Sequence, residues 1–363
     1  MTREQVFNFS AGPSVLPEQA LKRAAADILN YGGSGMSVME MSHRSSVYQS
    51  IFDETKAKLR AALRVPETHE ILFLQGGAST QFSMVPLNLM GENHTADYAL
   101  TGNFSTIAAK EAKKYGRVHI AASTEDCGHT RIPAQEELCL DPNASYFHYC
   151  ANNTIYGTEW KYVPQTGDVP LVCDMSSNIL SKPVDVAKYG LIYAGAQKNM
   201  APAGVTVVII NKTLAGRELP ATPLMLSYQR MIEKDSMYNT PPCWCIYMLG
   251  LTLDWLQQQG GVEGMEKLKQ ERAALLYDCI DNSKLFRGCA RPEARSDMNV
   301  TFRTGSDALD AEFVKAATAK GLLNLKGHRS VGGLRASIYN AMPMEGVQTL
   351  VEFMKAFEVS EHV

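Results

Sequence analysis

The chain has 363 residues, 45% of them hydrophobic and 20% charged, with 27 glycines and 16 prolines. That composition supports a large buried core and excludes a disordered chain, and the length calls for two subdomains or one large α/β unit with an appendage. A net charge of −3, with the lysines and arginines spread out, excludes a nucleic-acid surface and leaves small anions to local basic clusters.

In chain order, residues 1–15 are short and extended and end in Ala11-Gly-Pro13. They contain no apolar signal region, and no later stretch reaches the roughly 18 apolar residues that span a bilayer, so a cytoplasmic protein with no membrane partner is expected. Leu16 to Asn30 reads as a helix with Pro17 in its first turn. A glycine- and serine-rich segment over 31–46 contains Met41-Ser-His-Arg-Ser45, and a helix follows from Val47 to Leu63. Strands and helices then alternate. Strands are expected at 71–74, 118–121, 146–149, 171–173, 191–193 and 205–210, and helices near Thr80 and over 104–115. Such alternation implies parallel strands with helical crossovers, whose ligands bind at the carboxyl ends of the strands. After Pro241-Pro242 the character changes. Residues 245–282 read as helical with a break at Gly260-Gly261, 297–304 as a strand, 307–320 as a helix and 332–339 as a strand. The expected division is a large domain over 16–260 and a small α+β domain made of 1–15 with 261–363. The eight cysteines form no disulfide framework. Cys243-Trp-Cys245 lacks the flanking ligands of a zinc site, so no metal is expected. Cys173, inside an apolar run, reads as a small core residue.

Lys198 stands out because it lies in a short loop between two apolar runs, Leu191-Ile-Tyr193 and Val205 to Ile210. Burying an ammonium costs several kcal/mol unless it is paired or neutralised. A lysine that loses its proton readily can attack a carbonyl, and pyridoxal phosphate is the commonest partner for such a residue. The plain alternative is a solvated loop lysine. Three further features bear on the choice. Asp174 ends the apolar run Leu171-Val-Cys173, where it could pair with a pyridine nitrogen or simply cap a helix starting at Ser176. Gln75-Gly-Gly-Ala-Ser-Thr-Gln81 follows a strand and opens a helix, which is a phosphate cup by mechanism or a tight turn. It matches neither the Walker nor the dinucleotide pattern. His43-Arg44, His328-Arg329 and Arg335 place basic groups among small residues, suited to a doubly charged substrate group if they converge.

Several stretches together carry a resemblance. They are Ala11-Gly-Pro13, Met36-Ser-Val-Met-Glu-Met-Ser-His-Arg-Ser45, Gln75-Gly-Gly-Ala-Ser79, Tyr193-Ala-Gly-Ala-Gln-Lys-Asn199, Tyr238-Asn-Thr-Pro-Pro242, Lys326-Gly-His-Arg329 and Gly333-Leu-Arg-Ala-Ser-Ile-Tyr-Asn-Ala-Met-Pro343. Over nearly its whole length the chain resembles the phosphoserine aminotransferases of the class-V aminotransferase family, pyridoxal phosphate enzymes of fold type I. The resemblance implies an α/β fold with a large domain built on a mostly parallel seven-stranded sheet and a smaller C-terminal α+β domain. It implies amino transfer from L-glutamate to a phosphorylated keto acid, 3-phosphohydroxypyruvate, and allows the phosphorylated hydroxythreonine precursor of vitamin B6 as a second substrate.

By the same resemblance, Lys198 would bind the cofactor covalently and shuttle a proton, and Asp174 would pair with the ring nitrogen. Thr154 would bond the ring oxygen, and Ala78, Ser79 and Gln197 would hold the phosphate. Asn239 and Thr240 would complete that phosphate site from a neighbouring subunit, which implies a homodimer with shared sites. Arg335 would bind the substrate α-carboxylate, and His43, Arg44, His328 and Arg329 the substrate phosphate or the distal carboxylate of glutamate. Three positions depart from the family pattern. Phe104 stands where tryptophan usually stacks on the ring, Ser79 where some members have arginine, and Asn152-Asn-Thr154 where Asn-Glu-Thr is familiar. Rival expectations are a related transaminase for unphosphorylated substrates, a desulfurase, for which Cys243 and Cys245 are the nearest cysteines although Trp244 and the preceding prolines argue for a fixed loop, and a binding protein that has lost its chemistry.

Overall fold

The computed structural model describes residues 2–361. The chain enters through strand β1 (Phe7–Asn8) and passes into helices α1 (Glu18–Asp27) and α2 (Ser46–Leu63). Ser45 caps α2, its hydroxyl accepting from the Tyr48 amide at 3.2 Å. Then come β2 (His69–Leu74), α3 (Gly77–Leu89), β3 (Thr95–Leu100), α4 (Asn103–Ala112) and β4 (Arg117–Ser123). Strand β5 (Phe147–Cys150) leads into a small hairpin of β6 (Asn152–Asn153) and β7 (Thr158–Glu159). Strands β8 (Leu171–Asp174), β9 (Leu191–Gly195) and β10 (Thr206–Asn211) follow. Next are helices α5 (Tyr228–Glu233), α6 (Cys243–Gln258) and α7 (Gly261–Asn282). The chain closes with β11 (Arg287–Gly288), β12 (Asn299–Arg303), α8 (Asp307–Ala319), β13 (Leu322–Leu323), β14 (Leu334–Ser337) and α9 (Met344–Ser360).

Seven strands form the central sheet in the order β2-β10-β9-β8-β5-β3-β4. β10 runs antiparallel to both of its neighbours, and the other pairs are parallel. The central strands are buried on both faces, which is why they read as continuous apolar runs. Alternate residues of β10 enter different cores. Val207 and Ile209 pack with Phe52 and Leu59 of α2 and Leu249 and Leu253 of α6. Val208 and Ile210 pack with Phe82 and Val85 of α3 and Ala108 of α4. Each such side chain contributes about 1.5–3 kcal/mol when fully buried. A third core gathers Phe9 with Phe302, Phe313, Leu334, Leu350 and Met354, around the sheet β11-β12-β14 and the parallel pair β1-β13.

The expected α/β class and mostly parallel sheet are present, and several particulars differ. β3 lies outside the expected strands, and so does the helix α9. Asp174 does not cap a helix, because the residues after it form successive turns rather than a helix. Cys243 and Cys245 stand in the first turn of α6 rather than on a loop, which removes the mobile cysteine a desulfurase requires.

Candidate active site

Where strand order reverses, a crevice opens at the carboxyl ends of the strands. Here β3 leads outward to β4 while β5 leads the other way to β8, so the crevice falls between β3 and β5. Asp174 ends β8, and the segments leaving β3, β5 and β9 carry Phe104, Thr154 and Lys198 respectively. Four side chains far apart in sequence thereby gather at one end of the sheet.

Lys198 is buried, at 9% exposure, and its Nζ donates to the Thr154 hydroxyl at 2.7 Å. The same Nζ lies 5.7 Å from the centre of the Phe104 ring. The loop that carries it is tied to the N-terminal stretch. The Ser14 amide donates to the Gln197 carbonyl at 2.9 Å, and the Ser14 hydroxyl donates to the Lys198 carbonyl. Asp174, at the end of β8, is 5% exposed. Burial raises its carboxyl above the ordinary value, against the pull of Ser176 and the Lys198 charge. One carboxylate oxygen accepts from the Ser176 amide at 2.9 Å, the local bond that the capping reading anticipated without the helix.

Arg335, on β14, donates to the Thr154 carbonyl at 3.5 Å, which brings a guanidinium beside the residue that holds Lys198. Its Nε is buried without a partner, and desolvation lowers its pKa. His328 lies close enough to Arg335 and Arg329 that, with burial, their charges lower its pKa. The Arg335 amide donates to the Leu325 carbonyl and Lys326 bridges Leu334, so the loop that carries His328 and Arg329 starts and ends beside Arg335.

Ala78 and Ser79 occupy the first turn of α3, whose leading amides have no side-chain cap. The turn before it needs glycine at 76. There φ is +89°, and an added Cβ would fall 2.0 Å from Thr80 Oγ1. Asn239 and Thr240 are exposed, and the Thr240 carbonyl accepts from Gln75 Nε2 at 2.8 Å, just ahead of that turn. His43 is half-buried and Arg44 exposed. Among the described residues no hydrogen bond or ion pair joins His43 or Arg44 to Lys198, Arg335 or the 328–329 pair.

Sequence reasoning missed the supports behind the site. Asn153 Nδ2 bridges Thr101 Oγ1 at 3.3 Å and Thr158 Oγ1 at 3.0 Å, tying the hairpin that carries Thr154 to the end of β3. Asn152 donates to Ser177 and to Asn299 of β12, at 2.8 Å each. Asn299 in turn reaches Ser337 at 3.0 Å and the Tyr339 hydroxyl at 3.1 Å. Behind Asp174, His148 Nε2 meets the Tyr193 hydroxyl at 2.9 Å.

These groups suit pyridoxal phosphate. A buried carboxylate with a raised pKa gains from a pyridinium N–H, the uncapped first turn of α3 suits a phosphate, and a buried lysine amine suits an aldehyde. The aminotransferase class-V family pattern matches residues 6–350, and the chain belongs to that family. Within it, the chain is 52% identical to the phosphoserine aminotransferase of Laribacter hongkongensis over 353 residues, 97% of this chain and 98% of that one. Its fold is similar to that of phosphoserine aminotransferase from Bacillus circulans subsp. alkalophilus, with a TM-score of 0.97 and 48% identity, covering 99% of each chain. It is also similar to the pyridoxal phosphate-bound phosphoserine aminotransferase of Trichomonas vaginalis, with a TM-score of 0.92 and 41% identity, over 96% of this chain and 99% of that one.

Proposed function

We propose that this aminotransferase moves the amino group of L-glutamate to 3-phosphohydroxypyruvate, reversibly, giving O-phospho-L-serine and 2-oxoglutarate. The observation that carries the reading is the buried Lys198 amine bonded to Thr154, with the Arg335 guanidinium on the carbonyl of the same threonine. Pyridoxal phosphate supplies the electron sink that lets the substrate Cα give up its proton. Lys198 Nζ would accept the substrate Cα proton and hold it for return, the Thr154 hydroxyl orienting the amine. Asp174 would hold a proton on the ring nitrogen of the bound cofactor. Phe104 would pack against the cofactor ring, and the amides of Ala78 and Ser79 with Gln197 would hold its phosphate. Arg335 binds the α-carboxylate, its buried and unpartnered Nε making it receptive to an anion.

His328 and Arg329, with His43 and Arg44, grip the negative group beyond the reacting carbon, phosphate in one substrate and carboxylate in the other. The same grip serves the phosphorylated hydroxythreonine precursor of vitamin B6. His43, Arg44, Asn239 and Thr240 fit a homodimer with shared sites. They lie near exposed apolar residues, Met36, Met39, Leu224, Met225 and Tyr238, which a second copy would cover. The division into 16–260 and 1–15 with 261–363 has support in the separate third core, although Val262 and Met265 of α7 pack with the larger one. No helix among the described residues is long and apolar enough to cross a membrane.

The test is release of 2-oxoglutarate from glutamate, with phosphohydroxypyruvate and plain hydroxypyruvate as acceptors in parallel, for the native protein and for Lys198→Ala. A strong preference for the phosphorylated acceptor, abolished with all turnover in Lys198→Ala, is expected. Equal rates on both acceptors, or full turnover without the lysine amine, would refute the reading.

A further inference from the structure

We propose that Arg303 is a positioning residue that straps the 326–334 loop in place, and so sets how well the enzyme distinguishes phosphorylated from unphosphorylated substrates. The inference rests on the reading of His328 and Arg329, which that loop carries, as the phosphate grip.

The base of the loop is fixed by ordinary sheet bonds. Lys326 and Leu334 form an antiparallel bridge, the Gly327 amide donates to the Gly333 carbonyl at 2.8 Å, and the Arg335 amide donates to the Leu325 carbonyl at 2.8 Å. The tip has only local bonds. The Val331 and Gly332 amides donate to the His328 carbonyl at 3.0 and 2.8 Å, and His328 Nδ1 meets the Ser330 hydroxyl at 2.7 Å. Nothing in that set ties the tip to the body of the protein.

Arg303 makes the tie. It follows Phe302, which pairs with Leu334 across β12 and β14, so its side chain emerges where the returning limb of the loop passes. Its Nη2 donates to the Val331 carbonyl. The rest of the side chain lies against Gly332 and Gly333, whose φ angles are +67° and +68°. An added Cβ at Gly332 would sit 2.8 Å from Arg303 Nη2, and one at Gly333 would sit 2.8 Å from Arg303 Cγ. The glycines therefore serve the arginine as well as the turn: they let a guanidinium lie flat on the loop backbone. Among the described residues the exposed Arg303 side chain makes no ion pair and this single hydrogen bond, so the loop is the one hydrogen-bonding partner of its guanidinium. It also lines, with Arg335, Tyr156, Thr301 and Cys289, a cavity of about 350 Å³ on the near side of the loop. Releasing the strap would let the His328–Arg329 tip swing over that space. Arg335, held in β14, would keep its place. The α-carboxylate grip should therefore survive the loss of Arg303, and the phosphate grip should not.

The experiment is steady-state kinetics on the holoenzyme with phosphohydroxypyruvate and hydroxypyruvate as alternative acceptors, for Arg303→Ala, Arg303→Lys and Arg329→Ala. Titration of O-phospho-L-serine and of L-serine into each holoenzyme provides a readout independent of turnover. In Arg303→Ala the ratio of kcat/KM for phosphorylated over plain acceptor is expected to fall roughly tenfold, the size of one net hydrogen bond. The loss should fall on KM, O-phospho-L-serine binding should weaken by the same factor, and the bound-cofactor absorbance should be unchanged. Arg303→Lys, which keeps a donor for the Val331 carbonyl, should recover part of the ratio. Gly332→Ala tests the same contact from the loop side and should reproduce the loss even if Arg303→Ala folds poorly. An unchanged ratio in both Arg303→Ala and Gly332→Ala, with a collapsed ratio in Arg329→Ala, overturns the strap and leaves the phosphate reading standing. An unchanged ratio in Arg329→Ala overturns the phosphate reading, and the strap with it.

Discussion

Replacing His148 by glutamine should remove a defined part of the acid sensitivity of the fold. His148 lies on β5, fully enclosed, stacked between Tyr98 at 4.7 Å and Tyr193 at 5.9 Å. Its Nε2 meets the Tyr193 hydroxyl, and its Nδ1 is buried without a partner. Burial in this apolar layer lowers its pKa from 6.5 to about 3. Above pH 6.5 both the folded and the unfolded chain hold this imidazole neutral, so it imposes no penalty. Below 6.5 the unfolded chain takes up a proton that the folded chain refuses, and stability falls until the pH reaches about 3. Between pH 7 and pH 5 the difference amounts to about 2 kcal/mol from this one residue. Glutamine keeps a group that can bond to the Tyr193 hydroxyl and does not titrate. Urea unfolding of native and His148→Gln protein at pH 7 and pH 5 checks the reasoning. The variant should lose about 2 kcal/mol less on acidification, whatever its stability at neutral pH. Parallel losses in the two proteins would show that His148 is not held neutral.

Two further perturbations follow from the same structure. Glu159, at 1% exposure, lies 2.7 Å from Lys182 and 3.3 Å from Lys161. Burial opposes its ionisation, yet Lys182, Lys161 and Lys269 hold its pKa down to about 2, so its contribution is present above pH 4.5 and lost as the pH falls towards 2. Glu159→Gln should lower stability on the order of 2 kcal/mol at neutral pH, less than for a fully enclosed pair because both lysines keep some solvent; calorimetric melting would read it. Phe104→Trp should slow cofactor loss on dialysis by roughly threefold, from the larger stacking area, and unchanged or faster loss would argue against ring stacking at this position.

The sequence made the central strands legible because their burial on both faces demands unbroken apolar runs such as Val207 to Ile210. β3 escaped because it carries Asp97, an acidic residue of low strand propensity, in its middle. Inside the fold that carboxylate is satisfied by His119 at 2.8 Å and the Asp141 amide at 2.7 Å, partners that no local pattern announces. Helix α9 has the helical spacing of Val347, Leu350, Val351 and Met354, a stripe visible in the sequence but outside the expected elements. Lys198 and Asp174 could be singled out from their places at the ends of apolar runs. That Arg335 would meet the Thr154 carbonyl could not, because the two are 181 residues apart. The Asn152–Asn299 bond spans 147 residues and joins polar side chains that in isolation read as loop residues.

The stitching of Lys198 also joins residues made early in synthesis to residues made late. Ser14 bonds the loop from one side, and the Tyr339 hydroxyl donates to the Ala11 carbonyl at 2.8 Å, three residues before Ser14. The Asn340 amide donates to Asn199 Oδ1 at 3.0 Å, directly beside the lysine. A nascent chain emerging from the ribosome has built every strand of the central sheet by Asn211, yet the segment that braces its reactive amine is more than a third of the sequence away. The order in which these residues are translated leaves Arg335, Tyr339 and Asn340 until well after the central sheet.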